Sequence, residues 1–405
     1  MKQLKLWMLA AILIICGSMT FTSCSNDDTP INPDEPEISK ARVISTVHDD
    51  EAKMTVYSIL YPSTDPFGNE ETLSGTITVG DEVTKDAPAK GLMLYNHFTI
   101  FRADQCPSKG SLAVEKIVAG SGLITISPDY YGFGITENKL QAYCISNVNA
   151  QASVDALLAA KELLPTLGYK WNDDILFNMG YSQGGQTSIG VARLIAEKYP
   201  DLHITYTIAG GGSYDIPETY RQFISSNEAG MPSSVISVLL SYNEYFKLGY
   251  KRSDMFLEPV LSNIDKWFLS KNYTSDEIDA MVSSNVSDFA TPALLDIESD
   301  ISKSFFTALD KDNLCKGWTP RTDDKYVLVA HTKDTTVPVA NTINLYNFLK
   351  SKGVENIEPY VGNYGTLPGK SAHESAALIF AMAAINKVCT TLGIDVWFDL
   401  SELNF

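Results

Sequence analysis

The segment Gly180-Tyr181-Ser182-Gln183-Gly184 has the residue types and spacing for nucleophilic chemistry. It fits G-x-S-x-G. The apolar run at 175–179 precedes it and an amphipathic stretch follows it, so strand, tight turn and helix come in the order a nucleophile elbow requires. A serine hydroxyl is a poor nucleophile at neutral pH. It needs a neighbouring base, and that base needs a third group to fix its tautomer and stabilise its positive charge. The histidines are His48, His97, His203, His331 and His373. In this arrangement both partners follow the serine in the chain, acid first, which leaves His203, His331 and His373 to weigh.

His203 follows the serine too closely for an acid-bearing strand to intervene, and it opens a strand at the wrong end of the sheet. His331 closes the strand "KYVLVAH", with no resumed strand-helix unit ahead of it to supply an acid, and reads as packing or support. His373, on a loop before the last long helix, is the expected base. Asp334 lies just beyond "KYVLVAH", at the end of a buried strand where open α/β sheets collect functional groups. Asp323 and Asp324 precede that strand and read as solvated turn residues. The expected constellation is Ser182, Asp334 and His373.

Gly180 and Gly184 relieve crowding at the strained turn. The turn directs the backbone N–H of Gln183 toward the serine, as half of an oxyanion hole helped by the helix dipole. The other half is expected from the loop Asn96-His97-Phe98-Thr99, with Phe98 favoured as donor and Thr99 as the alternative. His97 either orients that loop or fills space. "SPDYYGFG", with Asp129, Gly132 and Gly134, reads chiefly as a structural turn beside the pocket.

These residues need a scaffold, and the remaining pattern describes one. Residues 41–83 alternate as antiparallel strands around "STDPFGNEE". "GLMLYN", "GLITISPDY", "DILFNMGYS" and "HITYTIAGG" then alternate with helical stretches, which implies a mostly parallel sheet with helices on both faces. The rhythm stops over residues 213–324, where the periodicity is helical and aromatic-rich, with a capping-box pattern from Thr274 to Glu277. It resumes with "KYVLVAH" and "IEPYVG". The expected organisation is a core at 41–212 and 325–405 with a helical lid inserted at 213–324.

The 405 residues are 44% apolar, enough to fill a core. A net charge of -18 without a basic block opposes nucleic acid or an anionic membrane surface as a main ligand. No phosphate loop, H-E-x-x-H or paired C-x-x-C is present. Lys2 and Lys5 precede an apolar run at 6–19, and small residues lead to Cys24, where "FTSC" resembles a bacterial lipobox. The expectation is a signal peptide at 1–23, a lipid on Cys24 and a polar, Pro-rich tether at 24–40, placing the protein on the outer membrane; plain secretion is the alternative. Cys106, Cys144, Cys315 and Cys389 then remain, either as disulfides in an unassigned pairing or as separate buried thiols.

Over residues 41–386 the chain resembles the α/β-hydrolase superfamily, and within it the secreted lipase and esterase branch with a helical lid. The resemblance rests on "YNHFTIF" with "DQCPS", "SPDYYGFG", "GYSQGG" followed by "KYPDLHITYTIAGGGSYDI", "HTKDTTVPVANT" and "SAHES". It implies an ester hydrolase that forms an acyl-enzyme on Ser182, with His373 relaying the proton, Asp334 holding it, and Gln183 with Phe98 binding the oxyanion. It implies no cofactor, and as partner a small ester with an apolar acyl or aryl group. Phe98 stands where glycine is common. A serine peptidase of the prolyl-oligopeptidase or tripeptidyl kind, and a non-catalytic surface binding protein, are the other readings of the same scaffold.

Overall fold

The computed structural model describes residues 40–395 apart from Ser111. The expected signal segment, Cys24, the tether up to residue 39 and residues 396–405 lie outside that range. The strands are β1 (Arg42–Asp49), β2 (Met54–Thr64), β3 (Glu70–Gly80), β4 (Gly91–Asn96), β5 (Leu123–Pro128), β6 (Leu176–Tyr181), β7 (Tyr206–Gly210), β8 (Tyr326–His331) and β9 (Ile357–Gly362). They form one 9-stranded sheet in the order β1-β2-β3-β5-β4-β6-β7-β8-β9. β1, β2 and β3 make an antiparallel meander, and β3 joins β5 antiparallel. From β5 through β4 to β9 every pairing is parallel.

β4, β5, β6 and β8 are buried at every position. Helices on both faces explain this, since a half-exposed strand would alternate with polar residues. On β4, Leu92 and Leu94 pack into the core beneath helix α2 (Ser146–Thr166), which follows the shorter α1 (Ala113–Val118). The intervening Met93 and Tyr95 meet the opposite layer, built on Ala376, Ile379 and Phe380. The chain runs from β4 to β5 on one side and then to β6 on the other. This reversal of strand order opens a crevice beyond the carboxyl ends of β4 and β6.

Helix α3 (Gln183–Lys198) follows β6. Between β7 and β8 lies a helical insertion, with α4 (Ile216–Ser226), α5 (Pro232–Tyr245), several short helical turns and α6 (Asp300–Lys311). Pro217 and Pro232 stand in the first turns of α4 and α5, where the missing N–H is no loss. Thr274 and Glu277 form the expected reciprocal cap. α7 (Ala340–Ser351) connects β8 to β9, and α8 (Ala372–Thr391) packs across β7 and β8.

Two buried charged groups tie the insertion to the sheet-bearing part. Asp312, at the end of α6, accepts from Ser146 N at 2.7 Å, Ser146 Oγ at 2.5 Å and Tyr242 Oη at 2.8 Å. Lys271 is 4% exposed and donates to Gly132 O and to Lys139 O, with its ammonium over the Phe133 ring. Burial lowers the Lys271 amine to about 8. Cys106, Cys144, Cys315 and Cys389 are unpaired thiols.

Glu115 on α1 is 1% exposed and accepts from Ser127 Oγ, while its Oε2 has no partner. Burial raises its carboxyl from an ordinary 4.5 to about 7. The unfolded chain therefore loses this proton at lower pH than the folded one. Stability falls as pH rises from the unfolded value through the folded one, by roughly 3 kcal/mol in all. Gln at this position mimics the neutral acid. Glu115→Gln is expected to raise the urea midpoint clearly at pH 8 and only slightly at pH 5; equal gains at both would show that Glu115 does not titrate in this window.

Candidate active site

Ser182 stands between the last residue of β6 and the first of α3, with φ 58° and ψ -122°. A non-glycine residue takes positive φ only where its surroundings impose it. Here Ser182 N donates to Gly210 O at 2.8 Å, while its carbonyl accepts from Gln186 N at 3.1 Å and opens the helix. The flanking glycines are required by close backbone approach. A Cβ on Gly180 would lie 2.4 Å from Gly184 O and 2.6 Å from Asn96 O. One on Gly184 would lie 2.0 Å from Asn96 O and 2.8 Å from His97 O. The elbow is thus pressed against the end of β4, which brings the Phe98 loop beside the serine.

The three residues singled out in the sequence come together. His373 Nε2 lies 2.9 Å from Ser182 Oγ, and its Nδ1 lies 2.6 Å from Asp334 Oδ2. The other carboxylate oxygen of Asp334 accepts from the N–H groups of Thr336 and Val337, each at 2.8 Å. With Nδ1–H donated to the carboxylate, Nε2 is free to accept the serine proton. One expectation is corrected. His373 is not on a free loop but in the first turn of α8, whose start is fixed by reciprocal bonds between Ser371 and Glu374. The S-x-x-E pattern at 371–374 carries that capping signal. The ring has no hinge on which to swing; it is held within hydrogen-bond reach of Ser182 Oγ.

Tyr181, which no pattern in the sequence singles out, reinforces this hold. Its Oη donates to His373 O at 2.6 Å, and its ring lies 5.1 Å from the imidazole and 5.4 Å from Phe380. Burial, with the Asp334 charge as a further cause, pushes the Tyr181 phenol well above its ordinary value, so it acts as a neutral donor.

His97 orients its loop. Its Nδ1 lies 2.7 Å from Phe98 O and its Nε2 3.1 Å from Asp129 O, with the ring 4.1 Å from that of Tyr130. Burial lowers its pKa below 6.5 despite these acceptors. Phe98 itself has a half-exposed ring. Thr99 Oγ1 is paired with Tyr143 Oη at 2.8 Å. Asp129 is fully buried and accepts from Ser74 Oγ at 2.6 Å and Ser108 N at 2.9 Å, a structural hub of its turn.

The rejected candidates lie elsewhere. His203 is exposed in the loop before β7 rather than opening the strand, which begins at Tyr206. His331 is fully buried, its Nδ1 accepting from Lys333 N at 2.9 Å. Asp323 is exposed in a turn, whereas Asp324 is half-buried and accepts from Tyr326 Oη at 3.2 Å, so only the former is a solvated residue. His48 pairs with Thr55 Oγ1 at 3.2 Å on the distant sheet edge. Among the described residues no group of His, Cys, Asp and Glu is arranged to hold a metal ion.

A narrow cavity open to solvent, with room for water-sized occupants of about 40 Å³, adjoins Ser182. α4 and α5 supply its apolar wall through Ile216, Phe223, Val235, Val238 and Leu239. Val337, beside the Asp334 turn, and Gln183 complete the end nearest the serine. The sequence placed this wall in an aromatic-rich insertion but could not say which residues face inward.

The sequence profile of the secretory lipase family matches residues 112–386. No curated protein matches the chain by sequence. Among solved structures, the esterase LipA from Xanthomonas oryzae, described as degrading rice cell walls, is 19% identical with a TM-score of 0.74; the match covers 87% of this chain and 98% of that one. A protein assigned as a hydrolase in Legionella pneumophila is 21% identical with a TM-score of 0.74, covering 89% and 99%. Candida antarctica lipase A in its closed state is 14% identical with a TM-score of 0.64, covering 89% and 83%. This is the α/β-hydrolase fold.

The closeness of the elbow to β4 has a measurable consequence. Gly184→Ala forces backbone apart where no flexible side chain can yield, and is expected to lower the unfolding free energy by about 2–3 kcal/mol. An unchanged urea midpoint would contradict the contact.

Proposed function

Because the chain belongs to the secretory lipase family, and is thereby a carboxylic ester hydrolase, we propose that its reaction runs through an acyl-enzyme on Ser182, with His373 as general base and acid and Asp334 as its orienting partner. The observation that carries this reading is the continuous chain of hydrogen bonds from Ser182 Oγ through both ring nitrogens of His373 to Asp334 Oδ2, at 2.9 and 2.6 Å. In the first step Ser182 Oγ bonds to the ester carbonyl carbon while its proton passes to His373 Nε2. The carbonyl oxygen becomes an anion beside the N–H groups of Gln183 and Phe98, the donors proposed for it. The bond to the alcohol oxygen then breaks, and that oxygen takes the proton from Nε2. Water repeats the sequence on the acyl-enzyme and releases the acid.

The pressing of Gly184 against Asn96 O and His97 O supports Phe98 as second donor, because it holds that strand end beside the start of α3. The dipole of the 16-residue α3 adds favourable potential there. The helical insertion acts as a lid over the acyl group, a role supported by its share of the cavity wall. Membership of a secretory family places the enzyme outside the cytoplasm. Within that setting we propose a lipid on Cys24 and a tether at 24–40 that holds it on the outer membrane, a reading that rests on the N-terminal sequence alone.

A fluorophosphonate probe is expected to label the wild type and not Ser182→Ala, which also loses at least about 10⁴-fold in ester turnover. Asp334→Asn is expected to fall by a similar order, because the amide favours the wrong tautomer of His373. Labelling of Ser182→Ala at the wild-type level would overturn the assignment. For the anchor, cells fed labelled fatty acid should incorporate it into the wild type and not into Cys24→Ala; equal incorporation would place the lipid elsewhere.

A further inference from the structure

The two helices that wall the cavity beside Ser182, α4 and α5, are seated on the sheet-bearing part by buried polar groups. The segment between β5 and α2 carries two residues at positive φ, Tyr130 at 66° and Cys144 at 55°. Four carbonyls of that segment accept from the insertion. Tyr242 Oη of α5 donates to Cys144 O at 3.0 Å and Tyr245 Oη to Leu140 O, while Lys271 Nζ donates to Gly132 O and to Lys139 O. In return, Ala103 N donates to Lys271 O at 2.9 Å. Tyr242 and Lys271 are both buried.

α4 is seated on α7. The buried Asn341 donates from Nδ2 to Thr219 Oγ1 at 2.8 Å and accepts from Asp215 N at 2.9 Å, and Asn344 Nδ2 donates to Asp215 Oδ2 at 2.8 Å. The link between α4 and α5 rests on the turn that follows Asp334. Gly230 N donates to Thr335 O at 3.3 Å, and a Cβ on Gly230 would lie 2.6 Å from Thr336 Oγ1 and 2.9 Å from Thr336 N. A cover that lifts needs an edge held by weak, solvent-exposed contacts. Here moving either helix off its seat breaks several buried hydrogen bonds together, and partners that stay covered are left unpaired.

The space between these seats is small. Its room of about 40 Å³ for water-sized groups holds about three of them, since one needs roughly 10–15 Å³ on that measure. A methylene takes up about as much space as a water, so an acyl tail of about three or four carbons fills the cavity.

We propose that the insertion is a fixed wall rather than an opening lid, and that it restricts the enzyme to dissolved esters of short acids, with the acyl tail filling the cavity and no gain at an oil-water interface. This rests on the acyl-enzyme reading above, because it takes the cavity beside Ser182 as the acyl site.

The test measures kcat/KM for p-nitrophenyl acetate, butanoate, hexanoate and octanoate on the full chain, at concentrations where each is dissolved, and follows tributyrin hydrolysis through the solubility limit of that ester. The octanoate is expected to be at least about tenfold poorer than the butanoate, and the tributyrin rate to continue on one saturation curve with no step where the emulsion forms. Val238→Ala, which shortens a side chain of the cavity wall, is expected to raise the octanoate-to-butanoate ratio about tenfold. A wild-type ladder that is flat or rises to the octanoate overturns the proposal, whether or not the variant folds; so does a step in rate at the solubility limit. A folded Val238→Ala with an unchanged ratio overturns it as well, since the wall then does not set the chain length. Any of these results with fluorophosphonate labelling intact defeats this inference alone; absence of ester turnover together with absence of labelling defeats the acyl-enzyme reading with it.

Discussion

The site depends on how closely the first turn of α3 approaches the end of β4. Gly180, Gly184 and Asn96 meet backbone to backbone at distances no side chain could share. That approach holds Ser182 at a positive φ, fixes the start of α3, and keeps the loop led by His97 at the serine's side. The hydrogen bond from Ser182 N to Gly210 O secures the same turn from the β7 side. Conformational strain at one residue is thus balanced by the packing of three strands, which is how a locally unfavourable geometry persists.

The proposed base is held just as firmly. His373 belongs to a capped helix, its carbonyl is bonded by Tyr181, and its ring is bonded by Asp334, whose second oxygen is tied to the turn at 336–337. No group in the constellation is free to wander, so little ordering remains to be done when a substrate arrives. The cavity beside Ser182, in contrast, is borrowed from the insertion, with α4 and α5 supplying the wall and the sheet supplying only its serine-bearing end. On the proposed reading, one part of the chain determines which bond reacts and another which acid fits.

Much of this was legible in the sequence because it obeys local rules. Strand, turn and helix around Ser182 could be read from apolar runs and glycine spacing, and the chain order of acid and base singled out Asp334 and His373 among several candidates. The placement of His373 in a helix was also written locally, in Ser371 and Glu374, yet a loop reading overlooked it. Other features had no local signature. Tyr181 reaches His373 across 192 positions, Asp312 reaches Ser146 across 166, and Lys271 reaches Gly132 across 139. Nothing near any of these residues in the chain distinguishes it from an ordinary core tyrosine or a solvated charge.

The unpaired cysteines set how the molecule meets redox chemistry. Burial pushes the thiols of Cys106, Cys315 and Cys389 above their ordinary range and that of Cys144 to about 12. At neutral pH almost none of this sulfur is thiolate, the form that attacks disulfides and alkylating agents. The fold of the described residues is thus held without cross-links among these four cysteines, and burial leaves each of them a sluggish nucleophile.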